Sequence, residues 1–208
     1  MSDIIESARK SLIEKIREKG EVLGKEFLKV DSFLNHKVSP ALLNTVGQAM
    51  AEKFGDLGIT KVLTAEAAGN IIAYTTAENL TNRGKEVEVV YAKKGVPTTM
   101  SGEEVRTITS PTKKNKTTLA VSGNFFEPED RVLIVDDFLF TGRTASTLAD
   151  IMEALSVTVV GYGFVIRKKG SGGYEKLKRT GKPIFSLVEI ESMDPKTGEI
   201  TFASDSRS

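Results

Sequence analysis

Residues 132–145 read VLIVDDFLFTGRTA, and their two halves make opposite demands on a fold. Four consecutive aliphatic residues call for a strand covered on both faces. The next two residues, Asp136 and Asp137, are carboxylates that cannot be buried without partners. Both demands are met when a core strand over 131–136 delivers the acids to the carboxyl edge of an open parallel sheet. There, loops lead into helix N-termini whose unpaired amides favour anions. Phe140, Thr141, Gly142, Arg143 and Thr144 follow at once: a glycine for close backbone approach, two hydroxyls and the first amides of a helix. These are the parts of a phosphate cradle. Two carboxylates repel a bare phosphate, so they face another part of the same ligand, and a sugar's vicinal hydroxyls or a Mg²⁺ shell would satisfy them. A sugar phosphate fits both halves; a plain strand-to-helix connection is the competing reading.

The rest of the chain alternates between helical and strand rhythm, the pattern of an α/β layered domain. Ile4, Ile5, Ala8, Leu12, Ile13 and Ile16 share one stripe, predicting a helix over 2–19 stopped at Gly20. Ser39-Pro40 signals a second helix start, with a serine oxygen to cap free amides, and Leu42, Leu43, Val46, Met50 and Phe54 continue its buried face to Gly55 or Gly58. A strand over 61–66, a helix over 70–82 and a strand over 87–92 make a parallel β-α-β unit. Residues 93–122 read as a mobile excursion carrying two marginal strands, with SPTKKNK as an exposed tip whose lysines face solvent. After the acid-bearing strand come a helix over 144–155, a strand over 157–166, a short helix over 174–179 and two closing strands, PIFSLVEIE and EITFAS. A single domain with a doubly wound, mostly parallel sheet is expected.

Composition narrows the function classes. With 29 basic and 28 acidic residues there is no global field to recruit nucleic acid or an anionic membrane, so any anion site is local. The absence of cysteine excludes a disulfide framework, a thiolate metal site and a cysteine nucleophile. MSDIIESARK has no apolar signal region and no apolar run reaches the length of a membrane span, so a cytoplasmic protein is expected. No zinc spacing or Ser-His-Asp set is present. The single histidine, His36, either lines a pocket beside Asn35 or caps local backbone groups.

The pattern VLIVDDFLFTG resembles the signature of the type I phosphoribosyltransferases, which bind phosphoribosyl pyrophosphate (PRPP). FLKVDSFLNH, TAEAAG, LAVSG and VIRK, in that order over 27–168, are similar to the bacterial xanthine branch of that family. The resemblance implies the type I phosphoribosyltransferase fold: a twisted sheet flanked by helices, a small hood formed by about 1–38 with the C-terminal segment, and a flexible loop over 93–122. It implies that Asp136 and Asp137 contact the ribose hydroxyls, and that Phe140, Thr141, Gly142, Arg143 and Thr144 hold the 5′-phosphate. Glu66, Ala67, Ala68 and Gly69 would form the pyrophosphate loop, approached by Lys93 and Lys94. Leu28, Asn35 and Lys168 would contact the purine, Asn35 through its carboxamide and Lys168 by reaching an exocyclic oxygen. Mg²⁺ would be held mainly by PRPP, with Asp136 or Asp137 reaching it through water, and the active form would be a homodimer.

The implied reaction is transfer of the phosphoribosyl group to N9 of xanthine in purine salvage. Xanthine is more acidic than the other common purines, so a nearby ammonium suits it. An asparagine can also turn to accept from an amino group, which keeps guanine or hypoxanthine as an alternative base. A non-catalytic regulator of the same fold is the alternative from another class. It would need a DNA-reading module, and the residues before Phe27 offer one helix and no basic recognition face.

Overall fold

The computed structural model describes residues 2–84, 86–109 and 116–203. Ser2 caps the first helix, its Oγ accepting from the Ile5 N–H at 3.5 Å, and α1 (Asp3–Lys19) ends at Gly20, whose N–H returns to the Ile16 carbonyl. Its buried face is Ile5, Ala8, Leu12 and Ile16; Ile13 is only partly covered, and Ile4 stays 43% exposed because the stripe is narrower than the apolar spacing implied. Two short strands, β1 (Glu21–Val22) and β2 (Leu28–Lys29), pair antiparallel and lead into a π-helical turn over Asp31–Asn35. Phe33 and Leu34 are buried there and anchor the turn. Helix α2 (Pro40–Phe54) starts at the predicted proline, but the Ser39 side chain makes no capping bond. The main-chain carbonyl of Ser39 accepts from Leu43 instead.

Strand β3 (Lys61–Ala65) is buried at every position and is followed by α3 (Gly69–Thr81) and β4 (Glu88–Lys94). β4 runs two residues further than its apolar run, because Lys93 and Lys94 pair antiparallel with Ala120 and Leu119. These lysines therefore belong to a strand and not to a loop excursion. β5 (Glu103–Thr109) and β6 (Lys116–Ser122) form a hairpin in register from Glu103↔Ser122 to Thr109↔Lys116. Of the predicted tip over 110–116, residues 110–115, with Lys113 and Lys114, lie outside the described residues, whereas Lys116 begins β6 and pairs with Thr109.

Strand β7 (Arg131–Leu139) is three residues longer than its aliphatic run predicts. Its neighbour β8 (Thr158–Lys168) continues beside it, pairing Asp136↔Phe164, Phe138↔Ile166 and Leu139↔Arg167. The two acids thus sit within a paired strand, not at its end. Helices α4 (Arg143–Ala154) and α5 (Gly173–Lys178), then β9 (Ile184–Met193) and β10 (Ile200–Phe202), complete the chain.

The eight-stranded sheet has the order β10-β9-β8-β7-β3-β4-β6-β5. Its centre, β9-β8-β7-β3-β4, is parallel; β10 at one edge and β6-β5 at the other are antiparallel. Two apolar clusters cover its faces. One packs α1, α2 and α3 through residues such as Leu12, Met50 and Ile72, and the other packs α4 through Leu148 and Met152. The N-terminal helix meets the C-terminal strands directly: Arg9 Nε donates to the Leu187 carbonyl at 3.1 Å and the Arg17 guanidinium lies 5.5 Å from the Phe202 ring centre. Beneath the amino edge of the sheet, the Lys61 ammonium is buried against Glu88 and Asp130. Among the described residues, no helix is long and apolar enough to cross a membrane.

Candidate active site

Because β3, β7 and β8 run parallel, their carboxyl ends bring Glu66, the acid pair and Lys168 to one edge, although these residues are far apart in the chain. At its centre the Asp136 carboxylate accepts from the Asp137 N–H at 2.9 Å, and Asp137 Oδ1 accepts from the Phe138 N–H at 2.9 Å. Burial, and then the adjacent charge of Asp137, push the Asp136 carboxyl well above the ordinary carboxylate range. A desolvated carboxyl beside a second acid favours a cation or a set of hydroxyl donors between them and the bulk.

The turn after β7 is shaped by a second loop. Gly142 adopts φ +68°, a conformation that disfavours side chains, and opens α4 as its N-cap. The carbonyl of Phe140 faces away from the cradle and accepts from the Gly173 N–H at 2.9 Å and the Ser171 hydroxyl at 2.7 Å. A Cβ on Gly173 would strike that carbonyl and come within 2.8 Å of the Gly142 nitrogen. A small cavity of about 80 Å³ opens against this turn, lined by Asp136, Thr141, Gly142, Arg143 and Thr144 with Phe138 and Phe140. The predicted phosphate residues therefore do line one concavity. Ser171, 31 residues downstream of Phe140, and Gly173 shape it and were missed, and only the pair of glycines in GSGGY hinted at a close approach.

Between β3 and α3, Glu66 to Gly69 form a short turn, with a cis peptide bond between Glu66 and Ala67. Gly69 packs so closely on Thr64 that a Cβ would collide with the threonine hydroxyl. That hydroxyl is fully buried and has no hydrogen-bond partner among the described residues. The Glu66 side chain turns to β4, where Oε1 accepts from the Lys94 N–H at 2.8 Å and Oε2 lies 3.0 Å from Lys93 Nζ. Glu66 and Lys93 thus contact each other, and the Lys94 ammonium is near enough to Asp136 to favour its charged form.

Leu28, Asn35 and Lys168, separated by up to 140 residues, line one pocket of about 290 Å³ together with Phe27, Phe138 and Phe140. Phe27 and Phe140 have ring centres 5.9 Å apart. Ile190 and Met193 of β9 close the far side and were not anticipated, since nothing in PIFSLVEIE marks them as pocket residues. Lys168 Nζ donates to the carbonyls of Lys169 at 3.1 Å and Glu191 at 3.0 Å, which hold it at the pocket wall. Asn35 Nδ2 donates to Asp137 Oδ2 at 2.7 Å, an unexpected link between this pocket and the acid pair. His36 is exposed and lines neither cavity. A larger cavity of about 680 Å³ lies at β4 and β6, lined by Tyr91, Lys93, Met100 and Phe125, and includes neither the acid pair nor the phosphate turn.

No cluster of three or more His, Cys, Asp or Glu side chains suited to a metal occurs among the described residues. A dication nonetheless fits Asp136 and Asp137, two adjacent carboxylates of which Asp136 is desolvated, provided a ligand supplies most of its oxygens.

A carboxylate pair one turn ahead of a glycine-opened helix, on the carboxyl edge of a parallel sheet, defines an α/β protein built for a phosphorylated ligand. More narrowly, the chain belongs to the phosphoribosyl transferase family, whose domain model matches residues 30–195. It is 44% identical to the xanthine phosphoribosyltransferase of Moorella thermoacetica over 192 residues, covering 92% of this chain and 94% of that one. It is 40% identical to the Streptococcus pneumoniae enzyme of the same name over 194 residues, covering 93% and 97%. Among solved structures, adenine phosphoribosyltransferase of Rhodothermus marinus superposes with a TM-score of 0.71 at 25% identity, covering 88% of this chain and 99% of that one. The Mycobacterium tuberculosis orotate phosphoribosyltransferase in complex with PRPP shares the fold, with a TM-score of 0.57 at 17% identity, over 88% and 89%.

Proposed function

We propose that the protein is a purine-salvage transferase that moves the phosphoribosyl group of PRPP to N9 of xanthine, giving xanthosine 5′-monophosphate and pyrophosphate. One observation carries this reading: the 290 Å³ pocket and the small cavity at the phosphate turn share Phe138 and Phe140, which supports a base in the first, a 5′-phosphate in the second and the pentose between them beside Asp136. The relatives named for xanthine, matched along nearly their whole length, select the base.

In this reading the amides and hydroxyls of Thr141 to Thr144 grip the 5′-phosphate, and Asp136 and Asp137 accept from the ribose hydroxyls. Breaking the C1′–pyrophosphate bond puts positive charge on the ribose ring and negative charge on the leaving oxygens, and the carboxylates lie on the side that stabilises the cationic ring. The main chain of Ala67 to Gly69 shares in holding the leaving group. Mg²⁺, which suits Asp136 and Asp137, would neutralise charge on the departing pyrophosphate. The aromatic walls and Lys168 hold the purine so that N9 faces C1′. Such alignment contributes roughly 7 to 11 kcal/mol, more than a single proton transfer supplies. Lys168, able only to donate, favours the oxygen-rich, acidic xanthine over a base with an amino group at that edge.

The whole chain is read as one catalytic domain, acting as a cytoplasmic homodimer with Mg²⁺, and sedimentation with and without ligands tests the assembly. Function is tested by incubating the protein with PRPP, Mg²⁺ and each purine separately. Pyrophosphate release with xanthine, reduced at least tenfold with guanine and hypoxanthine, is expected. Equal turnover of guanine would move the assignment to that base, and PRPP binding without turnover of any base would favour a sensor.

A further inference from the structure

Asn35 ends the π-helical turn before α2, and Asp137 lies 102 residues later, near the carboxyl end of β7, yet the amide Nδ2 of one is 2.7 Å from Oδ2 of the other. The asparagine is held in place from its own side. Phe33 and Leu34 are buried beneath it, the Lys37 N–H bonds to the Asp31 carbonyl at 2.8 Å, and Ser39 N–H bonds to the Phe33 carbonyl at 3.1 Å. Asp137 is held from the other side through Oδ1 by the Phe138 N–H. With one oxygen on the main chain and the other on Asn35, the carboxylate has a single orientation. Its remaining lone pairs are the ones offered to a ligand.

We infer that Asn35 is a positioning residue for Asp137, so that the base pocket and the grip on the pentose are coupled through one side-chain hydrogen bond. This rests on the phosphoribosyl reading above. It goes beyond that reading because it gives a residue lining the base pocket an effect on PRPP binding when no base is present. A hydrogen bond to a charged group is among the stronger ones, and this one fixes the direction of the Asp137 side chain. Loss of the amide leaves the Asp137 side chain with its main-chain anchor and its contact to Asp136, and no longer fixed toward the sugar through Oδ2.

The test measures PRPP affinity by calorimetry with Mg²⁺ and without purine, for wild type, Asn35→Ala, Asp137→Asn, the double variant and Leu28→Ala. Leu28 lines the same pocket but donates nothing to Asp137, so Leu28→Ala should raise the KM for xanthine while retaining wild-type PRPP affinity. Asn35→Ala should weaken PRPP binding about tenfold. In the Asp137→Asn background the same change should have less than a twofold effect, since the partner is already altered. Thermal melts confirm that each variant is folded, and Asn35→Ser provides a milder replacement if Asn35→Ala is not. Wild-type PRPP affinity in a folded Asn35 variant with raised xanthine KM would overturn the coupling and leave a base contact alone. Failure of the wild-type protein to bind PRPP would instead overturn the phosphoribosyl reading, and the coupling with it.

Discussion

Glu66 is clamped to the end of β4 on both of its carboxylate oxygens: Oε2 lies 3.0 Å from the ammonium of Lys93, and Oε1 takes the main-chain N–H of the next residue at 2.8 Å. The Lys94 N–H, with the Lys93 charge added and burial opposing, holds the Glu66 carboxyl below its ordinary value of 4.5. A depressed acid stabilises the fold above its unfolded-state value, and that contribution is lost as pH falls through the folded-state value. The difference in melting temperature between wild type and Glu66→Gln should therefore be constant from about pH 8 to 5 and close below about 4.5. A difference that widened on acidification would refute the clamp. At neutral pH Lys93→Ala should raise the KM for PRPP about fivefold, through the loosened turn that Glu66 begins.

Asp136 has the opposite sign. Burial and the neighbouring Asp137 raise it, so its ionised form costs the folded state free energy. The cost is absent below its ordinary value of 3.8 and grows as pH rises above that. Asp136→Asn should melt a few degrees higher than wild type near neutral pH, with the gain vanishing toward pH 4. The same variant should lose on the order of 10²-fold in kcat/KM, since a misplaced sugar loses its alignment with the base. Unchanged stability at neutral pH would contradict the burial of that carboxyl.

At the turn below α3, steric fit dominates. Gly69→Ala places a methyl against the buried Thr64 hydroxyl and should cost about 1 to 3 kcal/mol of stability together with most activity. Thr64→Ala removes the colliding oxygen, and the double variant should recover part of the stability. No recovery would mean that the crowding comes from another group.

The phosphate turn can be disturbed from 31 residues away. Ser171→Ala removes one of two donors to the Phe140 carbonyl and should raise the KM for PRPP a few-fold with kcat nearly unchanged. Gly173→Ala displaces the same carbonyl by direct collision and should have a larger effect in the same direction. Steady-state kinetics with PRPP as the varied substrate distinguishes the two. Equal, unaltered KM values would show that the turn keeps its shape without this support.

Most of the architecture was legible in advance because its causes are local. An apolar stripe ending at a glycine, a proline in the first turn of a helix, and alternating β and α rhythms specify α1, α2 and the β3-α3-β4 unit from neighbours a few residues apart. The unit formed by VLIVDD and FTGRT was legible for the same reason: strand, acids, glycine and helix start are contiguous, so their chemistry can be read without knowing the fold. The boundaries that moved are those decided by pairing. β7 reaches Leu139 because β8 is beside it, and Lys93 and Lys94 join β4 because β6 supplies their main-chain partners.

By itself the sequence determined where a phosphorylated sugar could be held, since that site is built from consecutive residues whose types and spacing carry the chemistry. Only the tertiary structure decided what surrounds it: Asn35 on Asp137, Gly173 under Phe140, Glu66 turned to Lys93, and β9 closing the base pocket. The first three of those contacts join residues from 27 to 102 apart, the fourth joins more distant ones, and their geometry follows from strand order and close packing, which no local pattern encodes.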